Sequence, residues 1–490
     1  MTSMTRPDIS EDKLAEECAV FGVYLPKEQS AALLIYFALF NLQHRGQDAS
    51  GMAVGDGAHT MKVHKNLGLV PQVHTQKKLG RMPGNIGIGH NRYTTSDANK
   101  VCFAQPITEG NQRRSGKSHT KELAFALNGN ISNPEPMIKF LQEKGVDISG
   151  RNDTMLMSAL LWYFLQETSD IVSAIEQCWP YWIGAFSLVI FWKDQLVGVR
   201  GPFGVRPLVL GEFADGGYAL ASETCAWNSI GKLVRPVEPG EVVVITEQGV
   251  TSHKIAQYLE KPDAFEAVYF ARPDSIFTCR LADGTLFQRS VYQIRRNFGE
   301  QLWNEHGITA DMVVPVPSSA HQSAEAYAYY SGVPYYNALI KSPYIHRTFI
   351  QPSQRERELS LNFKLNVAED QVRGKSIILI DDSIVRGSTL GPLIRKLQKA
   401  GARAVYVLIA SPPVRFPDFY GIATPTQAEL IAAHKNPEEI AAHIGADGVY
   451  YLGLEGMLAA IGLPKENVMT SAFDGEYPID IGEHRKQIAY

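Results

Sequence analysis

The chain has 490 residues, and its 47 Lys and Arg against 51 Asp and Glu leave a formal charge of -4; at about 150 residues per domain it holds three domains or two large ones. A hydrophobic fraction of 45% with 20% charged residues is that of a globular protein and excludes a disordered, collagen-like or coiled-coil chain, or a basic protein that coats nucleic acid. The five cysteines, Cys18, Cys102, Cys178, Cys225 and Cys279, lack CxxC spacing, so no disulfide framework, zinc site or iron-sulfur site is suggested and a reducing, cytoplasmic setting is expected.

In chain order, the first seventeen residues contain Asp8, Glu11, Asp12, Glu16 and Glu17 and no apolar core, which is the wrong composition for a secretory signal. The longest apolar run, Ala31 to Phe40, is far short of the roughly 18 residues that a membrane span requires. From Cys18 to about Ile245, short β-rich runs alternate with glycine: Ala19 to Tyr24, Gly51 to Ala53, Ile86 to His90, Leu123 to Leu127, Ala185 to Phe191, Leu196 to Arg200 and Val242 to Ile245. Apolar periodicity predicts helices over Ser30 to Leu42 and Asp153 to Gln166. These elements predict an α+β domain with sheet and helix packed in layers.

After the charged, proline-bearing stretch Tyr258 to Ala264 the texture changes. Strand-like runs Met312 to Val316, Ser376 to Ile380 and Val405 to Ile409 alternate with helices over Ala320 to Tyr330 and Leu390 to Ala400, which predicts a mostly parallel α/β sheet. The boundary between the two textures falls near residue 255. The polar tail from about Leu463 is expected to wrap the surface.

The segment Ile377-Ile-Leu-Ile-Asp-Asp-Ser-Ile-Val-Arg-Gly-Ser-Thr389 carries the strongest chemical signal. A buried strand would deliver Asp381 and Asp382 at its carboxyl end, where open α/β sheets place ligands. The following loop and helix start offer backbone NH groups and the hydroxyls of Ser383, Ser388 and Thr389 to a phosphate. Gly387 permits close backbone approach, and paired carboxylates suit a sugar diol or Mg2+. A bland alternative is that Asp-Asp-Ser caps the next helix. Cys18, taken by itself, reads more readily as a small core residue than as a nucleophile.

The thirteen-residue pattern resembles the phosphoribosylpyrophosphate (PRPP) signature of type I phosphoribosyltransferases. Pro315-Val-Pro-Ser-Ser-Ala320 resembles that family's pyrophosphate loop, and Lys341 to Arg355 resembles its mobile flap, in which Lys341, Arg347, Arg355 and Arg357 would neutralise pyrophosphate. Each of these four is equally well read as part of a solvated basic loop. In the first half, Leu42-Gln-His-Arg-Gly-Gln-Asp48, Gly89-His-Asn-Arg-Tyr-Thr-Thr95, Leu127-Asn-Gly-Asn130, Asn152-Asp-Thr154 and Gly201-Pro-Phe-Gly-Val-Arg-Pro207 stand in the order seen in glutamine amidotransferases with an N-terminal nucleophile. Taken together, the chain from Cys18 to about Tyr477 resembles the amidophosphoribosyltransferase family. The Cys18 half alone would also fit glucosamine-phosphate synthase or asparagine synthetase.

The resemblance implies an αββα glutaminase domain over 18–255, an α/β type I phosphoribosyltransferase domain over 256–465, a C-terminal tail over 466–490 and a propeptide over 1–17 whose removal exposes Cys18. It makes Cys18 the nucleophile, with its own α-amine as base. Asn128 and the Gly129 NH form the oxyanion hole, Arg92 takes the glutamine carboxylate and Asp153 the glutamine ammonium. PRPP falls to Asp381, Asp382, Ser383, Val385, Arg386, Gly387, Ser388, Thr389, Lys341 and Arg347, and Mg2+ to Ser319, Asp381 and Asp382. The implied reaction is transfer of ammonia from glutamine to C1 of PRPP, giving 5-phosphoribosylamine, at the first committed step of purine synthesis. Purine nucleotides as feedback inhibitors and a homo-oligomer are further implications; no nucleic-acid or membrane partner is.

Some family members carry an iron-sulfur cluster on four cysteines. None is expected here, because the stretch before Tyr269 has no cysteine, Asp418 stands in Phe416-Pro-Asp-Phe-Tyr420, and no cysteine follows Cys279. The chain departs from the family at Ala19, where glycine is usual, at Leu127, where histidine is common, at Asn152 and Met155 beside Asp153, and at Ser318-Ser319. Two rival readings stand beside the main one: a synthase that uses only free ammonia, and a non-catalytic regulator that binds PRPP or nucleotide.

Overall fold

The computed structural model describes residues 18–58, 61–93, 100–110, 121–227, 230–342, 365–422, 424 and 426–489. In the first half, side chains alternate across each strand, and in the central strands both faces find an apolar partner. In the strand Ala19–Tyr24, Ala19, Phe21 and Val23 pack on the helix Ala31–Asn41, while Val20 faces a second sheet. In Leu123–Ile131, Leu123, Phe125 and Leu127 pack on the helices Asp153–Thr168 and Ile171–Cys178, while Ala124 and Ala126 face inward.

The result is four layers, with two antiparallel sheets between outer helices. One sheet has seven strands, in the order Gly231–Pro236, Val209–Phe213, Tyr218–Ala221, Ala19–Tyr24, Ile86–Arg92, Ala49–Gly55 and Lys62–Leu67. The other has six, from Gly249–Lys254 through Glu241–Thr246, Gln195–Arg200, Gly184–Trp192 and Leu123–Ile131 to Ile107–Glu109.

The second half centres on a parallel sheet of Met312–Pro315, Ser376–Asp381, Ala404–Ile409 and Gly448–Tyr451. Its central strand reads as four consecutive aliphatics because both faces are covered. Ile378 and Ile380 pack toward the helices Val291–His306 and His321–Ser331, and Ile377 and Leu379 toward Leu390–Lys399 and Pro437–Ile444. The sequence reading leaves out the helix Val291–His306, although Val291, Ile294, Phe298 and Leu302 fall on one buried stripe. Short antiparallel pairs such as Ile276–Arg280 with Leu286–Ser290 also escape it, since neither strand has a continuous apolar run.

The tail differs from the expected surface wrap. Ile479 and Ile481 are buried with Phe419, Tyr420 and Ala185, and Met469 exchanges backbone hydrogen bonds with Pro262 and Ala264. Among the described residues, no helix is long and apolar enough to cross a membrane.

Candidate active sites

Cys18 immediately precedes the first strand, whose Ala19 lies opposite Asn91, so the thiol sits level with Arg92 at the end of the neighbouring strand. Its Sγ approaches the Tyr93 carbonyl at 3.9 Å, and among the described residues no histidine is hydrogen-bonded to it. Burial pushes the thiol pKa up, an effect opposed by the Tyr93 carbonyl contact, Arg92 and Arg45. A thiol of this kind is protonated at neutral pH and needs a base to become a nucleophile.

Asn128 comes from the other sheet. Ser222 joins the two: its Oγ accepts from the Val20 NH at 3.0 Å and from Asn128 Nδ2 at 3.4 Å. The Oδ1 of Asn128 is buried with no hydrogen-bond partner among the described residues, which leaves it able to accept a hydrogen bond from a ligand. Gly129 has φ +128°, and a Cβ there would lie 2.1 Å from the Ala185 carbonyl oxygen. Only glycine fits this position of the strand, where it lies opposite Phe186 of the neighbouring strand.

Asp153 opens the helix Asp153–Thr168, and its carboxylate accepts from the Ile131 NH at 3.4 Å. No cation is paired with it among the described residues, and burial raises its pKa to about 6. A half-buried carboxylate without a counter-charge is costly, and the α-ammonium of an amino acid would supply one. Cys18, Arg92, Asn128, Gly129 and Asp153 are thus gathered at one end of the facing sheets.

Three of the departures from the family pattern have local structural roles. Ala19 and Leu127 point into the two helix-facing cores. The Asn152 side chain caps its helix by accepting from the Met155 NH at 3.1 Å, as a serine would.

Sequence reasoning missed the charged cluster behind Cys18. Arg45, 1% exposed, donates Nε–H to the Cys18 carbonyl at 3.3 Å. Its guanidinium also makes two bonds of 2.6 and 2.8 Å to Glu266 and one of 2.6 Å to Glu223. Burial works against the Arg45 charge, but the two carboxylates outweigh it and raise its pKa. Glu223 further accepts from His44, Ser275 and the Arg272 NH at 2.8, 2.7 and 2.9 Å. Partners 178 and 221 positions apart leave no local pattern. A cavity lined by Ser222, Glu223, Glu266 and Ser275 lies at the junction of the two halves.

At the second site Asp381 ends the strand Ser376–Asp381, and both it and Asp382 are buried. Asp382 Oδ1 accepts from Ser383 Oγ at 2.9 Å, and its Oδ2 accepts from the Ser319 hydroxyl. Hard oxygen donors from two strand ends fit Mg2+ in kind. Val385, Arg386, Gly387 and Ser388 form the loop that leads to Thr389, the N-cap of the helix Leu390–Lys399. The Val385 carbonyl accepts from the Ile431 NH at 2.9 Å, and Arg386 pairs with Glu429 at 2.8 Å. Lys341 ends the strand Leu339–Lys341 and is exposed, while Leu339 is buried. Arg347, Arg355 and Arg357 lie outside the described residues, as does the leader 1–17.

Fold and sites define a class II glutamine amidotransferase half joined to a phosphoribosyltransferase half. The glutamine amidotransferase domain family matches residues 100–228. The chain is 41% identical over 475 residues to an amidophosphoribosyltransferase of Synechocystis, covering 96% of this chain and 92% of that one. It is 38% identical to an amidophosphoribosyltransferase of Methanocaldococcus jannaschii, covering 95% and 98%. The solved glutamine PRPP amidotransferase of B. subtilis, complexed with ADP and GMP, is similar at 34% identity and a TM-score of 0.83 over 95% of this chain and 98% of that one. The chain belongs to the amidophosphoribosyltransferase family, pentosyltransferases of the first step of purine synthesis.

Proposed function

We propose that this chain carries out the family's reaction with a working glutaminase half, over about 18–255, feeding a phosphoribosyltransferase half over about 256–465. The observation that carries this reading is the meeting of a half-buried, protonated Cys18 thiol with the Asn128–Gly129 stretch of the strand and with the Asp153 carboxylate, which has no counter-charge among the described residues. With no histidine bonded to Sγ among the described residues, the base is the α-amine of Cys18 itself, freed by removal of residues 1–17. An α-amine has an ordinary pKa of about 7.7–8.0 and can take and return a proton near neutrality.

The amine accepts the thiol proton, and sulfur attacks the carboxamide carbon of glutamine, whose ammonium and carboxylate sit on Asp153 and Arg92. Asn128 and the Gly129 NH meet the oxyanion, a role in which a single donor is typically worth about 2.7–4 kcal/mol. The C–N bond breaks, the nitrogen leaves as ammonia with the returned proton, and water hydrolyses the thioester to glutamate. Ammonia must stay unprotonated in transit, which favours a sheltered route across the junction between the halves.

At the second site Asp381 and Asp382 hold the ribose diol, and Ser383 to Thr389, with Val385, Arg386, Gly387 and Ser388 between, cradle the 5-phosphate. Ser319, Asp381 and Asp382 would hold Mg2+, which supplies charge neutralisation to the pyrophosphate leaving group. Ammonia attacks C1, the C1–O bond to pyrophosphate breaks with its electron pair, and the new amine loses a proton. Lys341 and Arg347 add positive charge on the flap side.

No iron-sulfur cluster is part of this reading: Asp418 uses its carboxylate on backbone NH groups, and Cys178, Cys225 and Cys279 are separately buried. Purine nucleotides as inhibitors, a homo-oligomeric assembly and a cytoplasmic setting complete it. The test compares glutamine with ammonium salts as nitrogen source. Cys18→Ala should abolish the glutamine-dependent rate and keep the ammonia-dependent one; equal glutamine-dependent activity of variant and parent would remove the mechanism.

A further inference from the structure

The strand end that carries Asn128 and Gly129 is braced from the other half of the molecule. The strand Leu123–Ile131 that carries Asn128 and Gly129 meets a loop of the phosphoribosyltransferase half, Asp418 to Ile422. There Asn130 Nδ2 donates to the Phe419 carbonyl at 3.3 Å. Gly421, at φ +122°, packs so closely that a Cβ would lie 3.0 Å from Gly129 Cα and 3.3 Å from the Gly129 carbonyl carbon.

One side chain shapes this loop. Asp418, 6% exposed, accepts from the NH groups of Tyr420 and Ile422 at 2.8 and 2.9 Å through a single oxygen, Oδ1, and its own NH is held by Thr424 Oγ1 at 2.7 Å. Tyr420 is pinned from outside by exchange of hydrogen bonds between its hydroxyl and Ile479, at 2.7 and 3.1 Å. Next along the oxyanion strand, Ser132 Oγ donates to the Asp480 carbonyl at 2.6 Å. Loop and tail together fix the end of the strand.

We propose that Asp418 is a positioning residue for the glutamine half-reaction: it folds the loop that presses Gly421 and the Phe419 carbonyl against Gly129 and Asn130 at the end of their strand, and so sets the aim of the oxyanion donors. Catalytic donors must be placed to within about 0.5 Å, and a strand end whose glycine has a positive φ needs a support to hold it. The loop supplies that support without touching glutamine. The inference rests on the oxyanion role proposed for Asn128 and Gly129.

The test uses the full chain and three substitutions. Asp418→Ala removes the acceptor that closes the loop, and Gly421→Ala drives a methyl group toward Gly129. Asp418→Asn keeps an Oδ1 acceptor and leaves Arg206 paired with Asp263, to which it donates at 2.6 Å. The first two should lower kcat for glutamine hydrolysis about tenfold or more, less than the loss of an oxyanion donor outright, with little change in KM for glutamine. Both should keep the parental rate of 5-phosphoribosylamine formation from ammonium salts, which also reports that the chain is folded. Asp418→Asn should return to within about threefold of the parent.

Parental glutamine kcat in Asp418→Ala and Gly421→Ala would overturn the inference. So would parallel loss of the ammonia-dependent rate, since the loop would then only hold the fold together. Cys18→Ala measured alongside separates the two levels: if it still hydrolyses glutamine, the nucleophile reading fails, whereas its loss beside an unimpaired Asp418→Ala removes the positioning role alone.

Discussion

The phosphoribosyltransferase half sets Asp381 to Thr389 on consecutive residues at one strand end, while the glutaminase half draws Cys18, Arg92, Asn128 and Asp153 from four separate elements. The difference follows from sheet type. In a parallel sheet, the loops at the carboxyl ends converge on one edge, so a single contiguous loop makes most of the site. In two facing antiparallel sheets no edge is privileged, and the site forms where strand ends from both layers meet and are tied by Ser222 and the Arg45 cluster. The first kind of site should lose function locally when altered, and the second should lose it through its supports.

The largest effect on stability is expected at Arg45. Arg45→Ala strands Glu266 and Glu223 without their shared cation, and breaking a buried pair in this way costs about 3–5 kcal/mol. Denaturant unfolding should shift accordingly, and both nitrogen sources should suffer, because Glu266 and Glu223 belong to different halves. A variant of parental stability would show that the cluster is not a support at all.

Asp382→Asn should act locally, lowering 5-phosphoribosylamine formation from glutamine and from ammonium salts alike, by about 100-fold, a loss near 2.7 kcal/mol. Unfolding should change little, and glutamine hydrolysis without PRPP should persist. Loss from glutamine alone would place the residue in the wrong half-reaction.

Asp153→Asn sharpens the comparison from the other side. It should raise KM for glutamine by about tenfold or more by removing the partner of the ammonium. In the parent, KM for glutamine should rise as pH falls through about 6, where Asp153 takes up a proton; the Asn variant should lack this step. The raised pKa also fixes the sign of the stability effect. The preference for the protonated form stabilises the fold at low pH and is lost as pH rises through about 6. At pH 8 the ligand-free Asn variant should therefore be more stable than the parent, on the order of 1–3 kcal/mol.

The smallest effect is expected at Glu429. Its pair with Arg386 is partly exposed, so Glu429→Gln should cost under about 1 kcal/mol and raise KM for PRPP only slightly. A large loss would mean that the Ile431 end of the segment, not the PRPP loop alone, governs that site.

The same contrast decides what the sequence could show. Ile377 to Thr389 was legible because strand, acids and loop are adjacent in the chain, and its geometry follows from one strand covered on both faces. Cys18, Arg92, Asn128 and Asp153 were legible only through the order of their motifs, since nothing local brings Cys18 near Asn128. Arg45 to Glu266, Gly421 to Gly129 and Asp418 to its loop were not legible: each joins residues far apart in sequence, or reads as an ordinary charge or glycine until the fold is built. The buried Ile479 and Ile481 were hidden in the same way by a tail that is polar on average.

The central claim is that the Cys18 thiol works only with its own free amine. Intact mass and N-terminal sequence of the active enzyme, measured with its rate of glutamine hydrolysis, test this most directly. A chain beginning at Cys18 that hydrolyses glutamine, beside an uncleaved chain that forms product only from ammonium salts, is the predicted result. Efficient glutamine hydrolysis by a chain still beginning at Met1 would contradict it.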